Sequence, residues 1–151
     1  MPTPAPDPGE VRVRILVSGF TSTDWKARKR SGASAAPLAE CEIPHHDGAD
    51  VIDAVGPGMS RRAARDRVWV YFAAFPNRWG TEAEYAVLPA ERTRPLPESA
   101  SFKFGASLGI QELTAAHCLD SRPEALRGHS ILVTGGAGAV GHYAIELAHA
   151  A

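Results

Sequence analysis

The sequence predicts a mainly β chain with an α/β C-terminal part, and three observations carry that prediction. First, 14 glycines and 12 prolines in 151 residues exceed the combined share of about 12% that is usual, which favours turn-rich β structure over a helical bundle. Second, the first hundred residues hold short runs in which apolar and polar residues alternate. Third, residues 130–151 read as an apolar strand, a glycine-rich loop and a helix with an apolar stripe.

The elements follow in order. Pro2, Pro4, Pro6 and Pro8 make Met1 to Glu10 an extended lead-in. Val11 to Val17 alternates valines and isoleucine with arginines, the pattern of a half-buried strand. Ser18 to Ser22 reads as a turn, Asp24 to Arg30 as one or two helical turns, and Ser31 to Pro44 as a loop of small residues. Val51 to Val55 is a second strand, stopped by Gly56-Pro57-Gly58. Arg67 to Phe72 is a third and Thr81 to Leu88 a fourth, with Glu82 and Glu84 facing solvent. Pro89 to Pro97 connects, so the β-rich body spans roughly Val11 to Leu96. Phe104 to Ile110 and Leu113 to Leu119 read as helical. Ile131 to Thr134 is short, apolar and β-branched, as in a parallel strand buried on both faces. Val140 to Ala148 places Val140, Tyr143, Ala144, Leu147 and Ala148 at helical spacing.

Composition excludes several function classes. A net charge of -1 argues against a nucleic-acid binder, whose phosphate contacts need a basic excess. The basic clusters at Lys26 to Arg30 and Arg61 to Arg67 are short and read as solvated loops. Cys41 and Cys118 cannot build a disulfide framework or a four-thiolate zinc site. Free, partly buried thiols in a reducing compartment are the simplest reading. No signal peptide is visible, and no window approaches the roughly 18 apolar residues of a membrane span. A cytoplasmic protein is the expectation.

The sharpest motif is Thr134-Gly135-Gly136-Ala137-Gly138-Ala139-Val140-Gly141. Gly136, Gly138 and Gly141 form G-x-G-x-x-G, and Gly135 offers a second register. Glycine lets the backbone turn sharply and approach a pyrophosphate, and the following helix offers free amides and the positive end of its dipole. The competing reading is a structural turn whose glycines only permit close packing.

Pro8-Gly9-Glu10-Val11-Arg12-Val13, Thr23-Asp24-Trp25-Lys26, His46-Asp47-Gly48-Ala49, Val55-Gly56-Pro57-Gly58, Asp66-Arg67-Val68, Gly80-Thr81, Ala83-Glu84-Tyr85, Leu113-Thr114-Ala115 and the glycine loop occur in a familiar order. In these blocks the chain resembles the medium-chain dehydrogenase/reductase superfamily, and within it the zinc-free quinone oxidoreductases of the zeta-crystallin type. The resemblance implies a GroES-like, partly open barrel over residues 1–100, a connecting helical segment over 101–129, and the first strand–glycine-loop–helix of a Rossmann domain over 130–151. It implies NADPH as cofactor, with binding expected to be weak or lost, and a small-molecule apolar quinone, enone or related carbonyl as substrate. It further implies a chain short at both ends. A hairpin is expected ahead of Pro2, and most of a nucleotide domain after Ala151.

The same resemblance assigns residues. Thr21 and Ile110 stand where zinc-dependent relatives carry cysteine ligands, so His46 and Asp47 do not complete a zinc set, and no metal is expected. Asp50 replaces a small glycine and is expected to bring a carboxylate beside the cleft. The loop Lys26 to Ala36 lacks the tyrosine that some enoyl-reducing relatives use as a proton donor. Thr23 stands at a proton-relay hydroxyl and Lys26 at its partner base. Equally, Thr23 or Asp24 caps a helix and Lys26 is solvated. Thr114 stands where relatives contact the nicotinamide, or its hydroxyl bonds to the preceding helical turn. Gly135, Gly136, Gly138, Ala139, Val140 and Gly141 are the candidate cofactor loop. His45, His46 and Asp47 offer acid–base groups near neutral pH, or form a polar turn before the second strand. Trp25, Trp69 and Trp79 are expected in the core or at its rim rather than as a substrate platform.

The functional expectation is NADPH-dependent reduction of a quinone or enone, with Thr23, Lys26 or His46 protonating the product enolate. The alternative is a cofactor-free cyclase, isomerase or dehydratase on a polyketide-like substrate, with His46, Asp47 or Asp50 as acid–base groups. A non-catalytic, dimerising remnant of the fold is a third possibility. A homodimer covering the strand Ile131–Thr134 and the helix stripe is expected as well.

Overall fold

The computed structural model describes residues 2–32, 42–76, 78–121, 126 and 128–150. Cys41 and most of the expected small-residue loop lie outside the described residues. Strand β1 is Glu10–Arg14, β2 Val17–Gly19, helix α1 Ser22–Gly32 and β3 Asp47–Val55. Then come β4 Arg67–Val70, β5 Tyr85–Pro89, a 3-10 turn Ala90–Arg92 and β6 Thr93–Pro95. Helix α2 is Phe102–Asp120 and helix α3 is Ala139–Ala150.

Alternation decides which face each strand buries. Val11 and Val13 of β1, Val68 and Val70 of β4, and Ala86 and Leu88 of β5 point inward, and their neighbours do not. With Ile52 and Ala73 they form one apolar core. Each large member contributes about 1.5–3 kcal/mol by leaving water. The antiparallel sheet runs β5-β1-β3-β4-β6, with β2 also paired to β3. Its ends, β5 and β6, are not joined, so the barrel is partly open.

The run Val11 to Val17 divides into β1 and β2. At the break, the Ile15 amide turns to the Glu84 carbonyl at 2.8 Å, and Leu16 is left exposed. The register of β1 on β3 shifts between Arg12 and Val13, a bulge that sets the Asp53 carboxylate on the Arg12 guanidinium. The helix after Thr21 is longer than expected because it is well capped. Thr21 Oγ1 accepts from the Thr23 amide at 3.2 Å, and Asp24 Oδ2 accepts from the Thr21 amide at 2.6 Å.

Two compact units divide within α2, one running to Gly109 and one from Ile110. In the second unit Ala115 and Ala144 are buried. Thr134 to Gly138 turns, and α3 follows as expected. The stripe on α3 is only partly covered, with Ala144 buried but Val140 37% exposed. The expected strand Ile131–Thr134 does not form. It has no partner strand among the described residues, and Leu132 is 90% exposed. An isolated run of β-branched residues has no ladder to join, so composition alone does not make it a strand. Phe104–Ile110 and Leu113–Leu119 join in one continuous helix, α2.

Two further expectations change. Cys118 is exposed, not partly buried. The Arg61 to Arg67 cluster is not simply solvated. Arg62 donates to both Thr93 oxygens at 2.9 Å, and Arg67 donates to the Ala100 carbonyl at 2.6 Å while lying over the Phe102 ring.

Candidate active-site cleft

A cleft of about 940 Å³ opens in the first unit. Phe20, Trp25, Ile43 and Trp79 supply apolar wall, and His45, His46, Asp24 and Glu82 supply polar groups. Its floor is set by backbone pairing across distant segments. The Ile43 amide bonds to the Arg78 carbonyl at 2.9 Å, the Gly80 amide to the Ile43 carbonyl at 2.7 Å, and the Thr81 amide to the His45 carbonyl at 3.0 Å. Gly80 is required there, because a Cβ would lie 2.0 Å from the Pro44 carbonyl oxygen.

His45 has φ 72, a left-handed backbone that costs a non-glycine residue about 1–2 kcal/mol. Its ring meets Phe20 edge-on at 5.5 Å. Nδ1 lies 2.8 Å from Ser18 Oγ, and Nε2 lies 3.7 Å from Glu82 Oε2. Ser18 Oγ is 2.9 Å from Thr81 Oγ1, which donates to the Asp47 carbonyl at 2.6 Å. His46 sits edge-on to Phe72 at 6.2 Å, and Phe72 itself has φ 53. Burial pushes the His46 pKa down, against a smaller upward pull from Asp24, while His45 pushes it down further.

The structure scatters the remaining candidates from the sequence. Of His46, Asp47 and Asp50, only His46 lines the cleft. Asp47 is fully buried, with its carboxylate packed under Gly109. Asp50 is 1% exposed and bound by Arg14 at 2.9 Å. It therefore brings no carboxylate to the cleft. Thr23 and Lys26 are exposed on α1, outside the cleft lining. The Thr23 hydroxyl bonds to that of Thr21, and Lys26 lies over the Trp25 ring. Thr114 Oγ1 donates to the Ile110 carbonyl at 2.5 Å, the helical bond weighed above.

In the second unit the glycine motif forms a tight turn. Gly135 has φ +73, and the Gly138 amide bonds back to its carbonyl at 2.9 Å. A Cβ on Gly141 would fall 2.3 Å from the Gly135 oxygen, whereas nothing lies within 4 Å of a Cβ on Gly135. One side of the loop is closed by α3 and the other is open. That shape suits a pyrophosphate resting on main-chain amides.

Residues 7–98 match the family described as the alcohol dehydrogenase GroES-like domain. The chain belongs to this family, within the medium-chain dehydrogenase/reductase superfamily. The chain is similar to the human protein named synaptic vesicle membrane protein VAT-1 homolog, with 36% identity over 95% of this chain and 35% of that one. It is similar to rat quinone oxidoreductase, with 34% identity over 97% of this chain and 43% of the relative. A mycobacterial protein solved in complex with NADPH superposes with a TM-score of 0.79 and 29% identity, over 99% of this chain and 44% of its own. The chain thus spans well under half the length of the relatives named here.

Within the GroES-like domain, the sequence gives no sign of Ser18 and Thr81, which bond beneath His45 without lining the cleft, or of the cleft-facing place of Glu82. No spacing links residues 18, 45 and 81. They meet because β2 pairs with β3 and the turn after Gly80 folds under the His45 loop. Trp25 and Trp79, expected at the core or its rim, form cleft wall and are 47% and 37% exposed.

Proposed function

We propose that the chain carries the substrate cleft and phosphate loop of a zinc-independent, NADPH-dependent oxidoreductase that reduces a quinone or enone. The observation that carries this reading is the cleft itself. Flat aromatic walls from Phe20, Trp25 and Trp79 surround two imidazoles, which suits a planar conjugated carbonyl that must stack and then take up a proton. Membership of an oxidoreductase family supports it, as does similarity to a named quinone oxidoreductase and to a protein solved with NADPH.

The residues fit the dinucleotide at its phosphates. Main-chain amides of Gly135, Gly136, Gly138, Ala139, Val140 and Gly141 would hold the pyrophosphate at the start of α3. Thr114 spends its hydroxyl proton on Ile110, so toward a nicotinamide carboxamide it would act as an acceptor. When bound, the reduced nicotinamide supplies hydride. The chain stacks the substrate, screens it from water with aromatic rings, and moves a proton to its oxygen.

The donor set does not fit catalytic zinc. Thr21 Oγ1 is committed to Asp24 Oδ2 at 2.9 Å, and Ile110 has no donor. Among the described residues no three potential ligands cluster. The test is a melting curve with and without NADPH, repeated after chelation. A rise with NADPH that survives chelation is expected. If 1,4-naphthoquinone raises the melting temperature and NADPH does not, the cofactor-free cyclase or isomerase reading replaces this one.

A further inference from the structure

We infer that His45 is the proton-transferring residue of the cleft, locked by a directional hydrogen-bond chain so that only its Nε2 exchanges a proton. The direction follows from counting hydrogens. The Asp47 carbonyl can only accept, so the single proton of the Thr81 hydroxyl is spent on it at 2.6 Å. Thr81 Oγ1 therefore accepts from Ser18, whose only proton is spent across 2.9 Å. Ser18 Oγ must then accept from His45, so the proton in the 2.8 Å contact sits on Nδ1. The chain runs from His45 Nδ1–H to Ser18, to Thr81, to the main chain of β3. It is anchored at a fully buried threonine.

Both charge states of the imidazole satisfy this chain. The imidazolium keeps Nδ1–H on Ser18 and presents Nε2–H beside the Glu82 carboxylate, 3.7 Å away. The neutral ring keeps the same Nδ1–H and presents a lone pair at Nε2. Proton transfer at Nε2 therefore needs no rotation of any member, which is the preorganisation that acid–base catalysis rewards. The left-handed backbone at His45, φ 72, is the further mark of a residue held for use, since strain of this kind gathers at functional sites.

The assignment rests on the reductase reading for its substrate. A bound reduced nicotinamide dinucleotide would supply hydride with its electron pair and be oxidised, and negative charge would develop on the substrate's carbonyl oxygen. The Nε2–H bond breaks and an O–H bond forms. The electron pair of the broken bond stays on Nε2, and the ring regains a proton from water. His45 touches the reacting oxygen, while Ser18 and Thr81 are positioning residues.

The test uses the whole chain labelled with ¹⁵N-histidine, read by two-bond ¹H–¹⁵N correlation above pH 8, with no dinucleotide present. The neutral ring of His45 is expected in the Nδ1–H form, opposite to the Nε2–H form that free histidine favours. Thr81→Val releases the Ser18 proton to Nδ1, and the ring is expected to switch to Nε2–H. Ser18→Ala, which leaves the buried threonine in place, is expected to lose the Nδ1–H preference too. Titration with 2-cyclohexenone, run in acid where the imidazolium presents Nε2–H, is expected to shift Nε2 and leave Nδ1 in place. An Nε2–H ring in the unaltered chain overturns the inference, as does an Nε2 resonance that saturating enone does not move. Failure of NADPH to bind would remove the reductase reading and leave the tautomer standing, so the two failures are distinguishable.

Discussion

Asp47 and Gly109 are in such close contact that a Cβ on Gly109 would lie 2.1 Å from the Asp47 carboxyl carbon. Asp47 is fully buried, so it cannot swing aside into solvent. The relationship explains why Asp47 is not a cleft residue despite its place beside His46. Its side chain points to α2, and its carbonyl anchors the hydroxyl chain beneath His45.

Gly109→Ala is therefore expected to destabilise the chain by about 1–3 kcal/mol, the usual cost of overpacking. Gly105→Ala, whose Cβ would meet Ala49 and Leu96 side chains at 3.1 Å, is expected to cost less. Thermal denaturation of the two variants checks the order.

The start of α1 makes a second prediction. Thr21 donates its amide and its hydroxyl to Asp24 Oδ2 and accepts from the Thr23 amide, and Thr21 and Asp24 are 4% and 7% exposed. Thr21→Ala and Asp24→Ala should each cost about 1 kcal/mol. Because they remove one shared arrangement, the double variant should cost less than the two losses added. A double-mutant cycle in urea reads this directly.

The β-body was legible in the sequence because its signal is local. Val11 with Val13 and Val68 with Val70 alternate, and the structure buries both pairs. Strand β6 was not legible, since it has three residues and ends in Pro95. The expected strand Ile131–Thr134 has the right residues and, among the described residues, lacks the partner that a ladder requires. At the cleft, His46 could be singled out from its neighbours in the chain. Ser18 and Thr81 could not, because each becomes meaningful only when the sheet brings it to His45.

Stability should depend on His46 below neutral pH. Its folded-state pKa lies below the ordinary 6.5, chiefly through burial. The unfolded chain then binds more protons than the folded one between the two values. The contribution is complete above about 6.5 and is lost as pH falls through the folded-state pKa. His46→Gln should flatten this part of the stability–pH profile, measured by denaturant unfolding from pH 8 to pH 4.

The central claim is dinucleotide-dependent, zinc-independent reduction, and absorbance at 340 nm tests it most directly. NADPH is mixed with 1,4-naphthoquinone and the chain in the presence of a chelator, beside Gly138→Asp. That variant places a carboxylate in a loop where even a Cβ meets the Gly135 oxygen at 3.3 Å, and its charge repels phosphate. The account predicts oxidation of NADPH that survives chelation and is lost in Gly138→Asp. Oxidation no faster than without protein, or unchanged in Gly138→Asp, would contradict it.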